Sequence, residues 1–222
     1  MKTEIPNEYL KGFTKFLNCK IDLRNRVFIP RIETEFWVKK ALTEILKTAN
    51  KRQKTKILDI FAGSGCIGIA ILKNIKNSRV DFVDIDEKAI AQIKINLKLN
   101  EVSPKKYRVI KSNLFEKIKG EKYDFIFANP PYVAKERLNE VQPSVLKYEP
   151  KRAILAGKKG LIYIRRFLRG AKKNLKPKGI ICLEIDPQQK EEINEILKRK
   201  KYNKFNFLKD QFKKYRWLKI KI

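Results

Sequence analysis

Short apolar runs alternate along the chain with segments in which apolar residues recur every three or four positions. One such segment has apolar residues at Val38, Ala41, Leu42, Ile45, Leu46 and Ala49. A stripe with this spacing predicts an amphipathic helix that turns one face to a core. Similar spacing predicts later helices over residues 66–75 and 189–200, and another marked by Ile90, Ile93 and Leu97. A further helix is predicted from Ile164 to Leu175, where Pro177 and Gly179 stop it.

The apolar runs between these helices predict buried strands. They comprise residues 56–60, 79–84, 107–111, 123–128 and 180–185, and a closing pair that ends on the alternating residues 218–222. Strands that alternate with helices need crossover connections, and crossovers of one hand place helices on both faces of a mostly parallel sheet. The pattern therefore predicts a doubly wound α/β domain with a mostly parallel, seven-stranded sheet.

The first predicted strand leads into a glycine-rich turn, Asp-Ile-Phe-Ala-Gly-Ser-Gly at residues 59–65. Gly63 and Gly65 can adopt positive φ and let the backbone approach a ligand, and the helix that follows presents unpaired N–H groups. The same kind of turn also occurs as a tight connection without a ligand. It lacks the Gly-x-Gly-x-x-Gly spacing and the Lys-Ser/Thr of a P-loop, which argues against nucleoside triphosphate binding.

Asp84 ends the second predicted strand. It follows the glycines by about 20 residues, where an acidic side chain can accept hydrogen bonds from both hydroxyls of a ribose. Asp84 could instead cap the next helix, but Asp86 is better placed for that role. The sequence therefore favours ribose binding by Asp84.

The sequence Asn-Pro-Pro-Tyr, residues 129–132, directly follows the apolar run 125–128. The two prolines restrict the backbone and remove two donors, so the Asn129 side chain and the Pro130 carbonyl are held as acceptors at a strand end. An amide or exocyclic amine is a poor nucleophile because its nitrogen lone pair is delocalised. Two acceptors that bind its two N–H groups favour the pyramidal geometry in which the lone pair can attack a methyl group.

Composition limits the chemistry that such a site can perform. The chain has 222 residues and no His, which excludes hydrolases that use a catalytic imidazole and metal sites with His ligands. Cys19, Cys66 and Cys182 are too scattered for a zinc motif or a disulfide framework. Residues 1–10 are not typical of a signal peptide, and the chain has no run of about 18 apolar residues. We therefore expect a cytoplasmic protein without membrane contact or a bound metal.

The chain carries 53 Lys and Arg residues against 24 Asp and Glu residues, a formal net charge of +29. A basic surface gains affinity for phosphates by releasing counterions, which favours weak, non-specific contact with RNA or the ribosome. The Lys residues are spread along the whole chain, so a solvated surface of general composition explains the charge equally well.

Three elements in combination, the 59–65 turn, Asp84 and residues 129–132, resemble a class I S-adenosylmethionine-dependent methyltransferase that acts on a planar nitrogen. Further stretches narrow the resemblance: Ile-Pro-Arg-Ile-Glu-Thr-Glu at 29–35, Tyr-Glu-Pro at 148–150 with Ala153 and Leu155, and Gly-Leu at 160–161 with Tyr163, Arg165 and Arg166. From about Tyr9 onward, the chain is similar to the release-factor glutamine methyltransferases, which methylate the Gln of the Gly-Gly-Gln loop in peptide-chain release factors.

The resemblance implies a site for S-adenosylmethionine, which leaves as S-adenosylhomocysteine. The implied cofactor contacts are Asp59, Phe61, Ala62, Gly63, Gly65, Asp84, Ile85, Asn113, Leu114 and Asn129. The implied substrate contacts are Asn129, Pro130, Pro131, Tyr132 and Glu149, with Asn129, Pro130 and Tyr132 as the catalytic residues. Among the cofactor contacts, Asp59, Gly63 and Gly65 would surround the methionine part, Asp84 the ribose and Asn113 the adenine.

The chain departs from the family pattern in ways that affect the expected substrate. Phe61 stands where the family usually has Gly, in a form familiar from nucleic-acid methyltransferases, and Asn113 replaces a common Asp. The stretch before Val27 is too short for the usual N-terminal helical domain, so we expect residues 1–30 to be a connecting, hairpin-like segment with strands in 19–29. Residues 31–222 would form the methyltransferase domain.

Two functions follow from the sequence, with a release factor as the expected partner and a monomer as the expected state. The first is methylation of a release-factor Gln. The alternative is methylation of an RNA or DNA amine, adenine N6 or guanine N2, which the +29 charge and Phe61 favour. An enzyme of that kind normally needs a pocket for the base, and often a separate recognition domain.

Overall fold

The computed structural model describes residues 4–48 and 54–222. Within those ranges the helices are α1 (Asn7–Lys11), α2 (Ile32–Thr48), α3 (Cys66–Asn74), α4 (Glu87–Leu99), α5 (Pro143–Tyr148), α6 (Lys151–Ile154), α7 (Ile162–Ala171) and α8 (Lys190–Arg199). The strands are β1 (Phe13–Phe16), β2 (Cys19–Asp22), β3 (Thr55–Ile60), β4 (Ser78–Asp84), β5 (Tyr107–Lys111), β6 (Tyr123–Ala128), β7 (Leu175–Glu184), β8 (Lys204–Lys209) and β9 (Tyr215–Lys221).

Seven strands of the described chain form one sheet, in the order β5-β4-β3-β6-β7-β9-β8. Neighbours from β5 through β7 pair in parallel, and β9 pairs antiparallel with both β7 and β8. The strand order reverses at β3, whose neighbours are β4 and β6. Ligands of doubly wound sheets bind beyond the carboxyl ends of the strands at such a reversal. The predicted fold class is confirmed.

Each face of this sheet has its own hydrophobic core among the described residues. Adjacent residues of β3 point to opposite faces, so Ile57 belongs to one core and Leu58 to the other. The first core contains Trp37, which is fully buried and stacks against Phe127 and Trp217. Burial on both faces explains why the central strands are almost continuously apolar in sequence.

The antiparallel hairpin of β1 and β2 lies against α4, where three buried amide side chains hold it. We call Gln92, Asn96 and Asn100 the amide ladder. Gln92 and Asn96 lie four residues apart on one face of α4, and Asn100 follows at its C-terminal cap. The Asn96 carboxamide accepts from the Asp22 N–H at 2.7 Å and donates to the Asp22 carbonyl at 3.1 Å. Asn100 makes the same two bonds with the backbone of Lys20.

Gln92 and a further bond of Asn96 extend the ladder to Asn25 and to the glycine-rich turn. Gln92 accepts from the Asn25 N–H at 3.1 Å and donates to the Asp22 carboxylate at 3.1 Å. Asn96 also donates to the Ser64 carbonyl at 2.9 Å. Since Ser64 lies in the glycine-rich turn, the ladder connects the hairpin to the predicted ligand site.

The structure corrects the predicted end of the helix that begins near Ile164. α7 ends at Ala171, and Leu175 is the first residue of β7, where it pairs with Tyr123. The register of β6 and β7 shifts after that pair, so Pro177 and Gly179 lie in an irregular part of the strand. A bulge tolerates the missing proline N–H, so Pro177 does not mark the end of a helix here.

The predicted N-terminal strands are also shifted. The hairpin occupies Phe13–Phe16 and Cys19–Asp22, whereas residues 23–29 form no strand. Leu23, Val27 and Ile29 are nevertheless buried in the first core, which explains their strand-like pattern in sequence. The remaining predicted helices and strands are found with small changes at their ends. Ala49 lies outside the described residues, and the domain division at residue 30 stays a prediction.

Candidate active site

A cavity of about 700 Å³ opens where β3, β4 and β6 end. This volume falls within the usual range for small-molecule sites, about 300 to 1,000 Å³. Its walls include most of the predicted site residues: Phe61, Ala62, Gly63, Asp84, Ile85, Asn113, Leu114, Asn129, Pro130, Pro131 and Tyr132. The sheet therefore brings together side chains that lie up to about 70 residues apart, because parallel strands end at one edge.

Three predicted site residues do not line the cavity: Asp59, Gly65 and Glu149. Gly65 precedes α3 with a φ of 79°, in the left-handed region that favours glycine. Glu149 is buried, and its carboxylate accepts from the Arg31 guanidinium and from the Ile29 N–H. It therefore joins the segment before α2 to the segment after α5.

Two residues other than glycine adopt positive φ in the cavity wall: Phe61 at 60° and Leu114 at 53°. A non-glycine residue held in the left-handed region costs on the order of 1 to 3 kcal/mol, and such residues cluster at functional sites. The Phe61 ring contacts Tyr163 and Phe167, and these contacts hold it in place. The backbone here thus has the conformation that glycine would adopt most easily.

The carboxylate of Asp84 shapes the glycine-rich turn. Its Oδ2 accepts from the Gly63 N–H at 2.8 Å, and its Oδ1 accepts from the Asp86 N–H at 2.9 Å. Burial raises the pKa of Asp84, and these two N–H groups partly oppose that shift. Asp86 caps α4 by accepting from the Lys88 N–H, as predicted. Asp84 is therefore not the cap, and each of its oxygens still has a lone pair for another donor.

Asp59 lies beneath the turn with one oxygen paired. Its Oδ2 accepts from the Gly68 N–H at 2.9 Å, and its Oδ1 is buried without a partner among the described residues. The pKa of Asp59 is raised to about 8, mainly by burial.

Gly68 allows α3 to lie close to β4. A Cβ on this residue would lie 2.2 Å from the Phe82 ring.

Asn113 and Ile85 lie on the same side of the cavity as Asp84. The Asn113 side chain accepts from Arg166 at 3.1 Å and donates to Glu116 at 2.8 Å. Ile85 is 54% exposed and offers an apolar surface within the cavity.

Asn129 and Pro130 present two acceptor oxygens at the opposite end of the cavity. The Asn129 amide donates from Nδ2 to the Thr34 hydroxyl at 3.3 Å. Neither Asn129 Oδ1 nor the Pro130 carbonyl accepts a hydrogen bond from any described residue. Both oxygens can therefore accept from the N–H groups of a planar amide or amine.

The loop after Asn129 is fixed by tight contacts along its backbone. The Tyr132 carbonyl accepts from the Gln189 amide at 2.9 Å. A Cβ on Gly160 would lie 2.0 Å from that same carbonyl oxygen, so only glycine fits. The next residue, Val133, pairs with Leu155 through an isolated bridge.

A buried carboxylate that the sequence analysis did not single out connects the walls at this end. Glu184 ends β7 and is 1% exposed. Its Oε2 accepts from Thr34 at 2.6 Å and from the Trp37 indole at 2.7 Å, and its Oε1 accepts from the Tyr132 hydroxyl at 3.2 Å. We call Glu184 with Thr34, Trp37 and Tyr132 the carboxylate hub.

The sequence did contain a signal for Glu184. It is an acidic residue near the end of the apolar run 180–185, a pattern close to the one that identified Asp84. Thr34 gives no comparable signal, because a Thr in the first turn of a helix is common. Gln189 and Gly160 matter through contacts that only the folded chain creates.

Two negative findings concern the described part of the chain. No cluster of three or more His, Cys, Asp or Glu residues there could hold a metal ion. None of the helices in residues 4–48 and 54–222 has the length and apolar character needed to span a bilayer.

Comparisons with known proteins agree with this architecture. A family model described as "Methyltransferase small domain" matches residues 38–148. The chain is 32% identical over 222 residues to a release factor glutamine methyltransferase of Flavobacterium psychrophilum, covering 99% of this chain and 76% of that protein. It is 33% identical over 184 residues to a ribosomal protein uL3 glutamine methyltransferase of Francisella tularensis, covering 83% of this chain and 57% of that protein.

A solved structure shares the fold at lower sequence identity. It is a 16S rRNA N2 G1207 methyltransferase of T. thermophilus, in complex with AdoMet and guanosine. The TM-score is 0.64 at 18% identity, with 94% of this chain and 49% of that chain covered. At this identity the likeness shows the fold alone.

Proposed function

Since the chain belongs to the family of release factor glutamine methyltransferases, we propose that it methylates the side-chain amide nitrogen of a Gln in a peptide-chain release factor, in the loop Gly-Gly-Gln. The observation that carries this proposal is the pair of free acceptors, Asn129 Oδ1 and the Pro130 carbonyl, in the cavity that Asp84 and the glycine-rich turn also line. A primary amide has the two N–H groups that such a pair of acceptors can bind.

We propose S-adenosylmethionine as the methyl donor, and the side chains at the turn fit it. Asp84 retains lone pairs for the two ribose hydroxyls. Ile85 and Leu114 offer apolar surface to the adenine, and the side-chain carbonyl of Asn113 would accept a hydrogen bond from the adenine amino group. Asp59 does not line the cavity, so it would support the cofactor only indirectly, by accepting from the Gly68 N–H at the start of α3. When bound, the sulfonium supplies a methyl group whose carbon–sulfur bond breaks as the carbon–nitrogen bond forms.

The residues of the chain act mainly on the acceptor nitrogen. Asn129 and Pro130 would accept from its two N–H groups and favour the pyramidal geometry that exposes its lone pair. Tyr132 would pack against the acceptor side chain, while its hydroxyl is bound to Glu184. The methylated nitrogen then loses a proton to water. No general base is needed before transfer, which agrees with a chain that lacks His.

Glu149 is proposed to support the substrate only indirectly. Its carboxylate is committed to Arg31 and Ile29, so it would keep the segment that leads into α2 at the cavity wall. Arg31 itself lines the cavity. The same indirect role applies to Gly65, which lets the turn enter α3.

The protein substrate is tested by methylation with a labelled cofactor and several acceptors side by side. We expect label on a release factor and none on its variant with the loop Gln replaced by Ala. Ribosomal protein uL3, the substrate named for one relative, and bulk ribosomal RNA complete the set. Label on uL3 alone would keep the amide chemistry and change the protein substrate, whereas label on RNA alone would favour the amine alternative.

The finer properties of the protein follow from this proposal. An enzyme that modifies release factors would work in the cytoplasm, and we propose that it acts as a monomer on one release factor. The +29 charge would then add only weak, non-specific affinity for RNA that falls steeply with salt. Tight binding to one RNA sequence at physiological salt would contradict this view.

A further inference from the structure

Glu184 occupies a position that no step of the proposed reaction uses, yet it contacts both walls of the acceptor end. Its carboxylate lies between α2, which contributes Thr34 and Trp37, and the loop that contributes Tyr132. Burial raises the pKa of Glu184, and the hydrogen bonds from these side chains and the nearby Arg216 oppose that shift. Trp37 can only donate, so Oε2 must act as an acceptor.

The hydroxyl of Thr34 determines which group of the Asn129 amide faces it. A hydroxyl has a single proton, and at 2.6 Å the Thr34 proton is donated to Glu184. The Thr34 oxygen is then left as an acceptor, and the Asn129 group 3.3 Å away must be the Nδ2 donor. The amide of Asn129 is thereby oriented with its Oδ1 away from Thr34.

We propose that Glu184 is a positioning residue for the methyl acceptor: through Thr34 it fixes which end of the Asn129 amide meets the acceptor, and it holds the Tyr132 ring directly. The inference rests on the proposed function, because it assumes an acceptor that donates N–H. Without the carboxylate, the Thr34 hydroxyl can rotate and donate to Asn129 Oδ1. The amide can then flip and present its NH₂ group to another N–H donor.

Kinetics of matched variants test this role. Glu184→Leu removes both acceptor oxygens from the buried site, and Thr34→Val keeps the shape but removes the hydroxyl. We expect each to lower kcat by about tenfold to a hundredfold, the range for a displaced contact at a reacting group. The KM for S-adenosylmethionine should stay within about twofold, since the cofactor end of the cavity is untouched.

Two further variants separate positioning from general stability. Thr34→Ser retains the hydroxyl and should restore most of the rate lost in Thr34→Val. Trp37→Phe removes a donor from the same oxygen of Glu184 but lies off the path to Asn129. It should lower the free energy of unfolding and should lower kcat less than Thr34→Val does. The double variant Thr34→Val with Glu184→Leu should be no slower than the slower single variant, because both break one path.

A readout without any acceptor keeps the inference separate from the proposed function. In protein labelled with ¹⁵N-asparagine, the Asn129 side-chain signal is identified by its loss in Asn129→Ala. Hydrogen exchange of that NH₂ group should be slow in the wild type and in Trp37→Phe, and faster in Glu184→Leu and Thr34→Val. Equal exchange in all four proteins, or equal kcat losses in Trp37→Phe and Thr34→Val, would overturn the inference. Failure of the wild type to methylate release factor would contradict the proposed function alone.

Discussion

The amide ladder lies outside the cavity lining and holds the glycine-rich turn through Ser64, whereas the carboxylate hub lies at the other end of the site, beside Asn129. Both are buried polar networks, but the ladder binds mainly backbone groups of the hairpin and of Ser64, with one bond to the Asp22 carboxylate, whereas the hub binds side chains. The ladder is neutral. The hub depends on one carboxylate whose pKa is raised by burial.

This difference matches what each end of the cavity must do. A carboxamide both donates and accepts, so it can pair with a peptide group as a neighbouring strand would, and its strength does not change with pH. A carboxylate only accepts, and it therefore dictates the direction of every hydrogen bond that it makes. Under the proposed function, the ladder is suited to holding a backbone that would contact the cofactor, and the hub to orienting side chains that would contact the acceptor.

The largest effect is expected for Asn129→Ala, which removes the acceptor oxygen that the hub orients. The single-turnover rate should fall on the order of a hundredfold or more, as when a preorganised polar contact to a transition state is lost. Cofactor affinity, measured by calorimetry, should be nearly unchanged. Asn129→Asp serves as a control that keeps the acceptors but loses the donor to Thr34. A near wild-type rate in Asn129→Ala would leave this loop a structural role only.

Asp84→Ala should have an effect of comparable size, but on cofactor affinity instead of on the rate of methyl transfer. Loss of hydrogen bonds to a charged group should weaken S-adenosylmethionine binding by about 1.5 to 3 kcal/mol, or about tenfold to a hundredfold. The matched control is Asp86→Ala, which removes the α4 cap but leaves Asp84 in place. Unchanged affinity in a folded Asp84→Ala protein would refute the ribose assignment.

Breaking the ladder should affect stability first. Asn96→Ala leaves buried backbone groups of Asp22 and the Ser64 carbonyl without partners, so the free energy of unfolding should fall by about 2 kcal/mol. Urea denaturation measures this change, which should be the same at every pH where the protein is folded. Asn100→Ala, which does not reach Ser64, is the control. Of these two residues, only Asn96 bonds to Ser64 in the turn, so equal cofactor affinity in the two variants would show that this bond does not influence the turn.

The hub should instead show a pH dependence. Because the folded protein raises the pKa of Glu184 above its unfolded value, the folded state binds this proton more tightly. The resulting stabilisation is complete below the unfolded pKa and is lost as pH rises towards the folded pKa. The unfolding free energy of the wild type minus that of Glu184→Gln should therefore fall with rising pH, by at most about 1.4 kcal/mol per pH unit. A constant difference would show that the carboxyl does not titrate differently on folding.

The smallest effect is expected for a partly exposed ion pair at the rim of the cavity. Arg152 on α6 lies 3.7 Å from the Asp86 carboxylate across the cavity mouth. The Arg152 side chain is mostly exposed, so Arg152→Ala should change stability and cofactor affinity by less than about 1 kcal/mol. Calorimetry at low and high salt should show that even this difference vanishes with screening. A larger change that resists salt would mean that the pair closes the cavity.

Most of the cavity could be predicted from sequence because a parallel sheet converts position along the chain into position in space. Asp84 and Asn129 each follow an apolar run, and the carboxyl ends of parallel strands lie at one edge. Phe61 and the glycines follow a third such run. The end of α7 could not be placed in this way, because Leu175 is apolar in either element and only its pairing with Tyr123 assigns it to β7.

The sequence alone determined the fold class, the edge of the sheet at which the cavity lies and the residue types available there. Only the tertiary structure decided which polar groups are already paired. Thr34 and Glu184 are 150 residues apart, and nothing local in either segment indicates that they share a hydrogen bond. The same holds for Asn96 and the hairpin, 74 residues away. Periodicity reports which face of an element is buried, but a hydrogen bond between distant elements depends on how those faces meet.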